Sequence, residues 1–265
     1  MPPSLPELCA DLRAEHEDLD GLVATLPDDG WQRPTPAEGW SIRDQIGHLA
    51  FFDDAARTAL VDPQAFDAHL EEFRTDPVAA MERTVASGRE LSVDDLLEWW
   101  RRAREELLAA LDGLDPDTRI PWYGPPMGAR SFVSARLMET WAHGQDVVDA
   151  LGARRPATHR LRHIAEIGMR TRGWSYIVRG MEPPEADIRV ELAAPGGETW
   201  EWGDPAAENR VRGDALDFCL VVIQRRHVDD TALEVSGPLA EEWMSIAQAF
   251  AGGPGEGRKA GEFAR

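Results

Sequence analysis

Residues 39–52 of the chain read GWSIRDQIGHLAFF. This stretch has the signature of a helix start, because Ser41 is followed three residues later by Asp44, an acidic partner for a capping box. His48 comes two helical turns after Ser41 and is followed by apolar and aromatic residues. The pattern therefore predicts a helix from Ser41 to Leu60 that carries a histidine in apolar surroundings.

Apolar residues at helical spacing predict four more helices, and alternating residues predict strands near the C-terminal end. The helices span about residues 5–26, 93–111, 131–151 and 158–178, and a strand pattern begins at Ile188. The predicted fold class is α+β. We expect a helical bundle over residues 1–180, a smaller α/β domain over 186–251 and a flexible, glycine-rich tail over 252–265.

The charge balance excludes several classes of function. The 265 residues include 28 Lys and Arg against 48 Asp and Glu, a net charge of −20. Such a surface repels phosphate backbones and anionic lipid headgroups, so neither nucleic acid nor membrane is expected as a partner. The chain also lacks an apolar run of the roughly 18 residues that a membrane span needs and a signal-peptide pattern. We expect a cytoplasmic protein, monomeric or homodimeric.

The predicted helix over residues 131–151 presents a carboxylate and an imidazole on one face. Glu139 and His143 are four residues apart, and Asp146 follows three residues later on the same side. Apolar residues almost all round this helix indicate that it is buried, and a buried carboxylate needs a partner such as a cation. His48 is the candidate third donor. The alternatives are a solvated acidic face and a hydrogen-bonded core histidine.

Other titratable residues are weaker candidates. Asp53 falls within the apolar stripe of the helix that carries His48, where a carboxylate faces either a partner or a pocket. His16 and His69 have charged neighbours and are predicted to be solvated. His159 and His163 are also four residues apart, but the arginines around them disfavour binding of a cation.

Two motifs carry a resemblance to a known family. Gly39–Asp44 followed by His48, and the later Glu139-x-x-x-His143-x-x-Asp146, resemble the DinB-like four-helix-bundle metalloproteins. The His/Glu/His set and the appended α/β domain are more similar to the mycothiol-dependent maleylpyruvate isomerase branch. The resemblance implies an up-and-down bundle with a divalent metal at His48, Glu139 and His143, and mycothiol as a cosubstrate.

Two imidazoles and one carboxylate leave a coordination position open, as in catalytic zinc sites, so zinc is the preferred ion. A low-molecular-weight thiol arriving there would bind as thiolate. The resemblance implies that this thiolate attacks a small electrophilic substrate, which gives isomerisation or thiol transfer. Asp146 is the candidate for orienting a ligand imidazole, Asp53 for lining the pocket, and Arg225 for anchoring a substrate carboxylate.

Two other classes of function remain open. A bound metal hydroxide would instead make the protein a hydrolase or lyase acting on a small molecule. The protein could also be a non-catalytic binder of metal and of an apolar ligand, with Trp200 and Trp202 lining a cavity in the α/β domain.

Overall fold

The computed structural model describes residues 3–263. The chain divides into two compact units, Met1–Arg154 and Arg155–Arg265. The first is helical and the second mixes helices with a sheet, which confirms the predicted α+β class. Among the helices of residues 3–263, none is both long and apolar enough to cross a bilayer.

Over its described residues, the first unit is built from six α-helices and a short two-stranded ribbon. The elements are α1 (Leu5–Val23), α2 (Ile42–Val61), α3 (Pro63–Thr75), α4 (Pro77–Glu90), α5 (Val93–Leu111), β1 (Arg119–Ile120), β2 (Met127–Gly128) and α6 (Ala129–Leu151). Helices α1, α2, α5 and α6 contact one another as a four-helix bundle, and α3 and α4 pack against α2. Leu19, Ile46, Trp100 and Val147 bring one side chain from each bundle helix into a shared core.

Helix starts in this unit follow local chemistry. Ser41 and Asp44 form the predicted capping box at α2, with the Ser41 backbone amide donating to Asp44 Oδ2 at 2.8 Å. Asp62 and Asp76 cap α3 and α4, and each is followed by proline at the first helical position. These caps satisfy amides that would otherwise lack partners at the helix ends.

Helices α3 and α4 were not predicted from the sequence. Few residues of either helix are buried, and the Asp-Pro pairs that begin both helices were not used as helix-start signals. Helix α4 nevertheless approaches α2 closely, because Gly47 and Gly88 face each other at the crossing. A Cβ placed on Gly88 would lie 3.0 Å from Gly47 Cα. Two residues without side chains therefore set the spacing of α2 and α4.

Up to residue 263, the second unit contains four α-helices and a four-stranded sheet. The elements are α7 (Leu161–Arg170), α8 (Arg172–Ile177), β3 (Ile188–Ala193), β4 (Thr199–Trp202), β5 (Asn209–Asp214), α9 (Ala215–Val222), β6 (Glu234–Ser236) and α10 (Pro238–Ile246). The strand order is β4-β3-β5-β6, with β3 and β5 parallel and the other pairs antiparallel. Phe218 of α9 and Trp243 of α10 meet edge to face in the core of this unit.

The unit boundary lies between Arg154 and Arg155, whereas the sequence analysis placed it near residue 180. The reason is the packing of α7, which lies against α9 with Gly168 facing Val222 and Phe218. The expected tail is irregular over its described residues, but it is held to the second unit. Arg179 donates to Gly255 O at 2.9 Å, and the Gly261 amide donates to Asp230 at 2.7 Å.

Candidate metal centre

The structure brings together the three side chains predicted to bind a metal. His48 lies on α2, and Glu139 and His143 lie on successive turns of α6. One nitrogen or oxygen atom from each lies within 4.8 Å of the other two. His143 Nε2 is 3.4 Å from Glu139 Oε2, and both histidines are 9% exposed. The three donors therefore converge on one small volume at the α2–α6 contact.

Thr84 of α4 fixes the tautomer of His48. His48 Nδ1 lies 3.1 Å from Thr84 Oγ1. The single hydroxyl hydrogen of Thr84 goes to the carbonyl of Met81, at 2.8 Å. Thr84 can therefore only accept a hydrogen bond from the imidazole, which places a proton on Nδ1, so that Nε2 carries the lone pair when His48 is neutral.

Gln45 has the same effect on His143. Its Oε1 lies 2.6 Å from His143 Nδ1, and its Nε2 donates to Thr35 Oγ1 at 2.9 Å. Thr35 uses its own hydroxyl hydrogen on the carbonyl of Trp40, at 2.9 Å. This chain of donors fixes which end of the Gln45 amide faces the imidazole. His143 thus also carries its proton on Nδ1 and offers Nε2 toward Glu139.

Aromatic rings flank the donor set. Trp40 stacks on His143 with ring centroids 6.0 Å apart and lies 5.0 Å from the ring of His48. Phe52, one turn after His48 on α2, also contacts that imidazole, with ring centroids 4.6 Å apart. Apolar surroundings strengthen electrostatic interactions. Two imidazoles whose Nε2 atoms are the available donors, together with one carboxylate, suit a divalent ion that prefers nitrogen and oxygen ligands.

Asp146 was predicted to orient a ligand imidazole, and that role stays a prediction. Asp146 is fully buried one turn further along α6, but the acceptor on His143 Nδ1 is Gln45. Arg225 lies in the second unit, in the turn after α9, where its Nη1 donates to the carbonyl of Ile223 at 2.9 Å. Its role as an anchor for a carboxylate stays a prediction.

Asp53 was predicted to line the pocket, but the structure gives it a partner instead. Arg136 of α6 donates to Asp53 Oδ1 from Nε at 3.2 Å and from Nη2 at 2.8 Å. Asp53 is 0% and Arg136 4% exposed. The other oxygen of Asp53 lies 3.7 Å from His16 Nε2. The inward stripe of α2 therefore meets a buried cation rather than an open pocket.

The expectation for His16 was also wrong. His16 is 1% exposed rather than solvated, and neither ring nitrogen has a hydrogen-bond partner among the described residues. Burial, reinforced by the charges of Arg104, Arg136 and Arg13, lowers the pKa of His16 well below its usual value of 6.5. His16 is therefore a neutral core histidine.

Sequence reasoning missed the groups that orient the imidazoles. Gln45 precedes His48 by three residues, so its position on the same helix face was available as a signal. Thr84 lies on α4, a helix that the apolar pattern did not mark, and no sequence feature linked it to His48. The pairing of Thr84 with His48 depends on how two helices pack, and only the structure shows it.

A family model and two curated relatives match this chain. Residues 12–148 match the family model of the mycothiol maleylpyruvate isomerase N-terminal domain. Two proteins from strains of Mycobacterium tuberculosis, both described as uncharacterized, are 49% identical over 253 residues, which cover 94% of this chain and 97% of theirs.

Solved structures show the same fold at low sequence identity. The crystal structure of the mycothiol-dependent maleylpyruvate isomerase superposes with a TM-score of 0.59 at 16% identity, covering 84% of this chain and 90% of the other. A mutant of that enzyme gives a TM-score of 0.58 with the same identity and coverage. The family match extends over more than half of the chain and includes all three converging donors. The chain therefore belongs to the mycothiol maleylpyruvate isomerase N-terminal domain family.

Proposed function

We propose that this protein is a metal-dependent enzyme that uses a low-molecular-weight thiol, mycothiol, to isomerise or to thiolate a small electrophilic substrate. The observation that carries the proposal is the convergence of His48, Glu139 and His143 donor atoms within 4.8 Å. The family membership and the fold shared with a mycothiol-dependent isomerase support it.

The chain's own residues prepare this site. Thr84 and Gln45 hold the two imidazoles with Nε2 as the available donor, and Glu139 adds one negative charge beside His143. A bound divalent ion, with zinc preferred, would keep a net positive charge and lower the pKa of a thiol at its open position. Trp40 and Phe52 limit the access of water to the imidazoles.

The chain's cysteines do not suit the role of nucleophile. Burial is the largest effect on both, and it raises the pKa of Cys9 and that of Cys219 above the ordinary value. Cys219 is also fully buried, and its Sγ donates to the carbonyl of Leu161. Both thiols therefore stay protonated at neutral pH, which favours a thiol supplied from solution.

Two further residues are part of the proposal. Arg225 is the proposed anchor for an anionic group on the substrate, because a chain of net charge −20 needs a local cation to hold one. Asp146 is fully buried one turn after His143 and is proposed to support the α6 end of the site.

Metal analysis tests the site. Purified wild type should retain about one equivalent of a divalent metal, while His48→Ala and His143→Ala should each lose most of it, because a buried three-donor site fails when one donor is removed. His227→Ala, at a half-buried histidine of the second unit, is the control and should keep the wild-type content. Equal metal content in all four proteins would refute the site.

Cobalt substitution tests the thiol. Adding mycothiol to the cobalt-loaded protein should produce a sulfur-to-cobalt charge-transfer band that both histidine variants lack. If the cobalt protein is formed but no band develops, the thiol does not bind the metal. That result would favour the hydrolase or lyase alternative, in which metal hydroxide is the nucleophile.

A further inference from the structure

Six aromatic side chains of the first unit form one connected group beside the metal centre. They are Phe52, Phe66, His69, Phe73, Trp122 and Tyr123, which we call the aromatic cluster. Contacting rings of the cluster have centroids 4.7 to 6.4 Å apart. Helices α2 and α3 and the loop between β1 and β2 each contribute to it.

Phe52 connects the aromatic cluster to the three candidate metal donors. Phe52 contacts the ring of His48 at 4.6 Å and the ring of Tyr123 at 5.4 Å. A molecule that reacts at an ion held by His48 must therefore lie near these rings. The metal centre and the cluster form adjacent surfaces of the same unit.

The outer members of the cluster are not ordinary core residues. Phe66 is fully buried and stacks on Trp122 within 4° of parallel, so it forms the base of the cluster. His69, Phe73, Trp122 and Tyr123 are half-buried. A contiguous group of large, partly exposed rings is uncommon on a soluble chain and is typical of a ligand site.

The cluster offers hydrogen bonds without net charge. The Tyr123 hydroxyl is hydrogen-bonded to His69 Nε2. Burial lowers the pKa of His69 and raises that of Tyr123, so both are neutral at pH 7. The arginines whose charges act on these two residues are paired with carboxylates, Arg83 with Glu72 at 3.3 Å and Arg136 with Asp53 at 2.8 Å. Such a surface favours a planar ring and a carbonyl over a carboxylate.

We propose that the aromatic cluster is the electrophile subsite, and that it binds the planar, uncharged body of an aryl-conjugated carbonyl compound by stacking against Trp122, Tyr123 and Phe73. The inference rests on the proposed function, since it names the class of molecule that the thiol would attack. The proposal predicts that the substrate carries an aromatic ring, which small dicarboxylates do not have.

Calorimetric titration of the zinc-loaded, full-length protein without thiol tests the subsite. The probes are benzalacetone and ethylideneacetone, two conjugated ketones that differ in the phenyl ring, and maleate as the dicarboxylate. We expect benzalacetone to bind at least about tenfold more tightly than ethylideneacetone, a ratio within the range of aromatic contacts. Maleate should bind more weakly than benzalacetone.

Three variants locate the effect. Phe73→Leu and Trp122→Leu should each reduce the preference for benzalacetone by about fivefold to tenfold. The matched control is Trp99→Leu: Trp99 is also half-buried in this unit, but its Nε1 is bound to Asp54, and it lies outside the cluster. Phe73 is half-exposed near the end of α3, so its replacement is the one least coupled to the fold. Unchanged zinc content in each variant shows that the metal centre is intact.

Several results would overturn the subsite: equal affinity for the two ketones, a preference that persists in both cluster variants, or maleate binding more tightly than benzalacetone. The titrations contain no thiol, so their outcome can be told apart from a failure of the proposed thiol chemistry. A cobalt–thiol band without benzalacetone binding would refute the subsite alone. Benzalacetone binding that depends on the cluster, without a cobalt–thiol band, would refute the thiol chemistry alone.

Discussion

Thr84 shows how one hydroxyl group can set the state of a metal donor. Its only hydrogen goes to Met81, so His48 meets an acceptor and must carry its own proton on Nδ1. Without that acceptor, the imidazole could rotate or change tautomer, and Nε2 would no longer be the fixed donor. Thr84 is therefore a positioning residue that acts through His48.

Replacing the hydroxyl of Thr84 should weaken metal binding with little change in packing. Thr84→Val keeps the shape but removes the acceptor, and we expect a roughly 10-fold to 100-fold loss of zinc affinity. Thr84→Ser keeps the acceptor and should remain within a few-fold of wild type. Competition with a chromophoric chelator measures the affinity, and the cobalt spectrum reports the donor geometry. Equal affinities for the valine and serine variants would contradict this role.

The sequence predicted the three candidate metal donors but not the residues that hydrogen-bond to the two imidazoles. Helical periodicity placed Glu139 and His143 on one face, and His48 on a second apolar helix, and the structure brings all three together. Asp53 was placed correctly on the inward stripe, but its partner could not be inferred, because Arg136 belongs to another helix. Side-chain partners between helices depend on packing that one sequence does not display.

At the scale of elements, the crossing of α2 and α4 determines whether Thr84 can reach His48. Gly47 and Gly88 let the two backbones approach, and Thr84 lies one turn before Gly88 on α4. Larger side chains at the crossing would separate the helices. The hydrogen bond between Thr84 and His48 therefore depends on having glycine at both positions of the crossing.

Gly88→Ala should destabilise the fold and weaken the metal site together. Its Cβ would meet Gly47 Cα at 3.0 Å, and relieving such overpacking typically costs about 1 to 3 kcal/mol. Gly21→Ala is the matched control, because Gly21 is an exposed position of α1 with no atom within 4 Å of an added Cβ. It should be neutral or stabilising by up to about 1 kcal/mol. Urea unfolding and zinc affinity measure the two effects, and equal stability of the two alanine variants would contradict them.

The long helices of the bundle, which bury many side chains, could be predicted from sequence, whereas two shorter helices were missed. The start of α2 was predicted to within a residue because a capping box marks it. Helices α3 and α4 were missed because they bury few side chains, although each begins with an Asp-Pro pair. The predicted helix over 158–178 is interrupted at Thr171, between α7 and α8.

At the scale of the whole molecule, the buried imidazole of His16 links stability to pH. Its pKa is lowered in the folded state, so below pH 6.5 the unfolded chain binds a proton that the folded chain does not. The stability associated with neutral His16 is thus fully present above pH 6.5 and is lost as the pH falls below that value.

The pH dependence should change when His16 is replaced. Between pH 7 and 5, wild-type stability should fall more steeply than that of His16→Gln, by up to about 1.4 kcal/mol per pH unit for one proton. Urea unfolding at several pH values, with chelator present so that metal ligands contribute equally, measures the slopes. Parallel slopes in the two proteins would show that His16 does not titrate on unfolding.

The distance in sequence between the converging donors has a consequence for biosynthesis. His48 leaves the ribosome about ninety residues before Glu139, and α6 must be complete before both of its donors are available. At synthesis rates of roughly 5 to 20 residues per second, the nascent chain spends several seconds with a lone imidazole exposed. Binding of an ion at these donors would therefore be a late event that follows closure of the bundle, and the ion would link α2 to α6, two helices that are far apart in sequence.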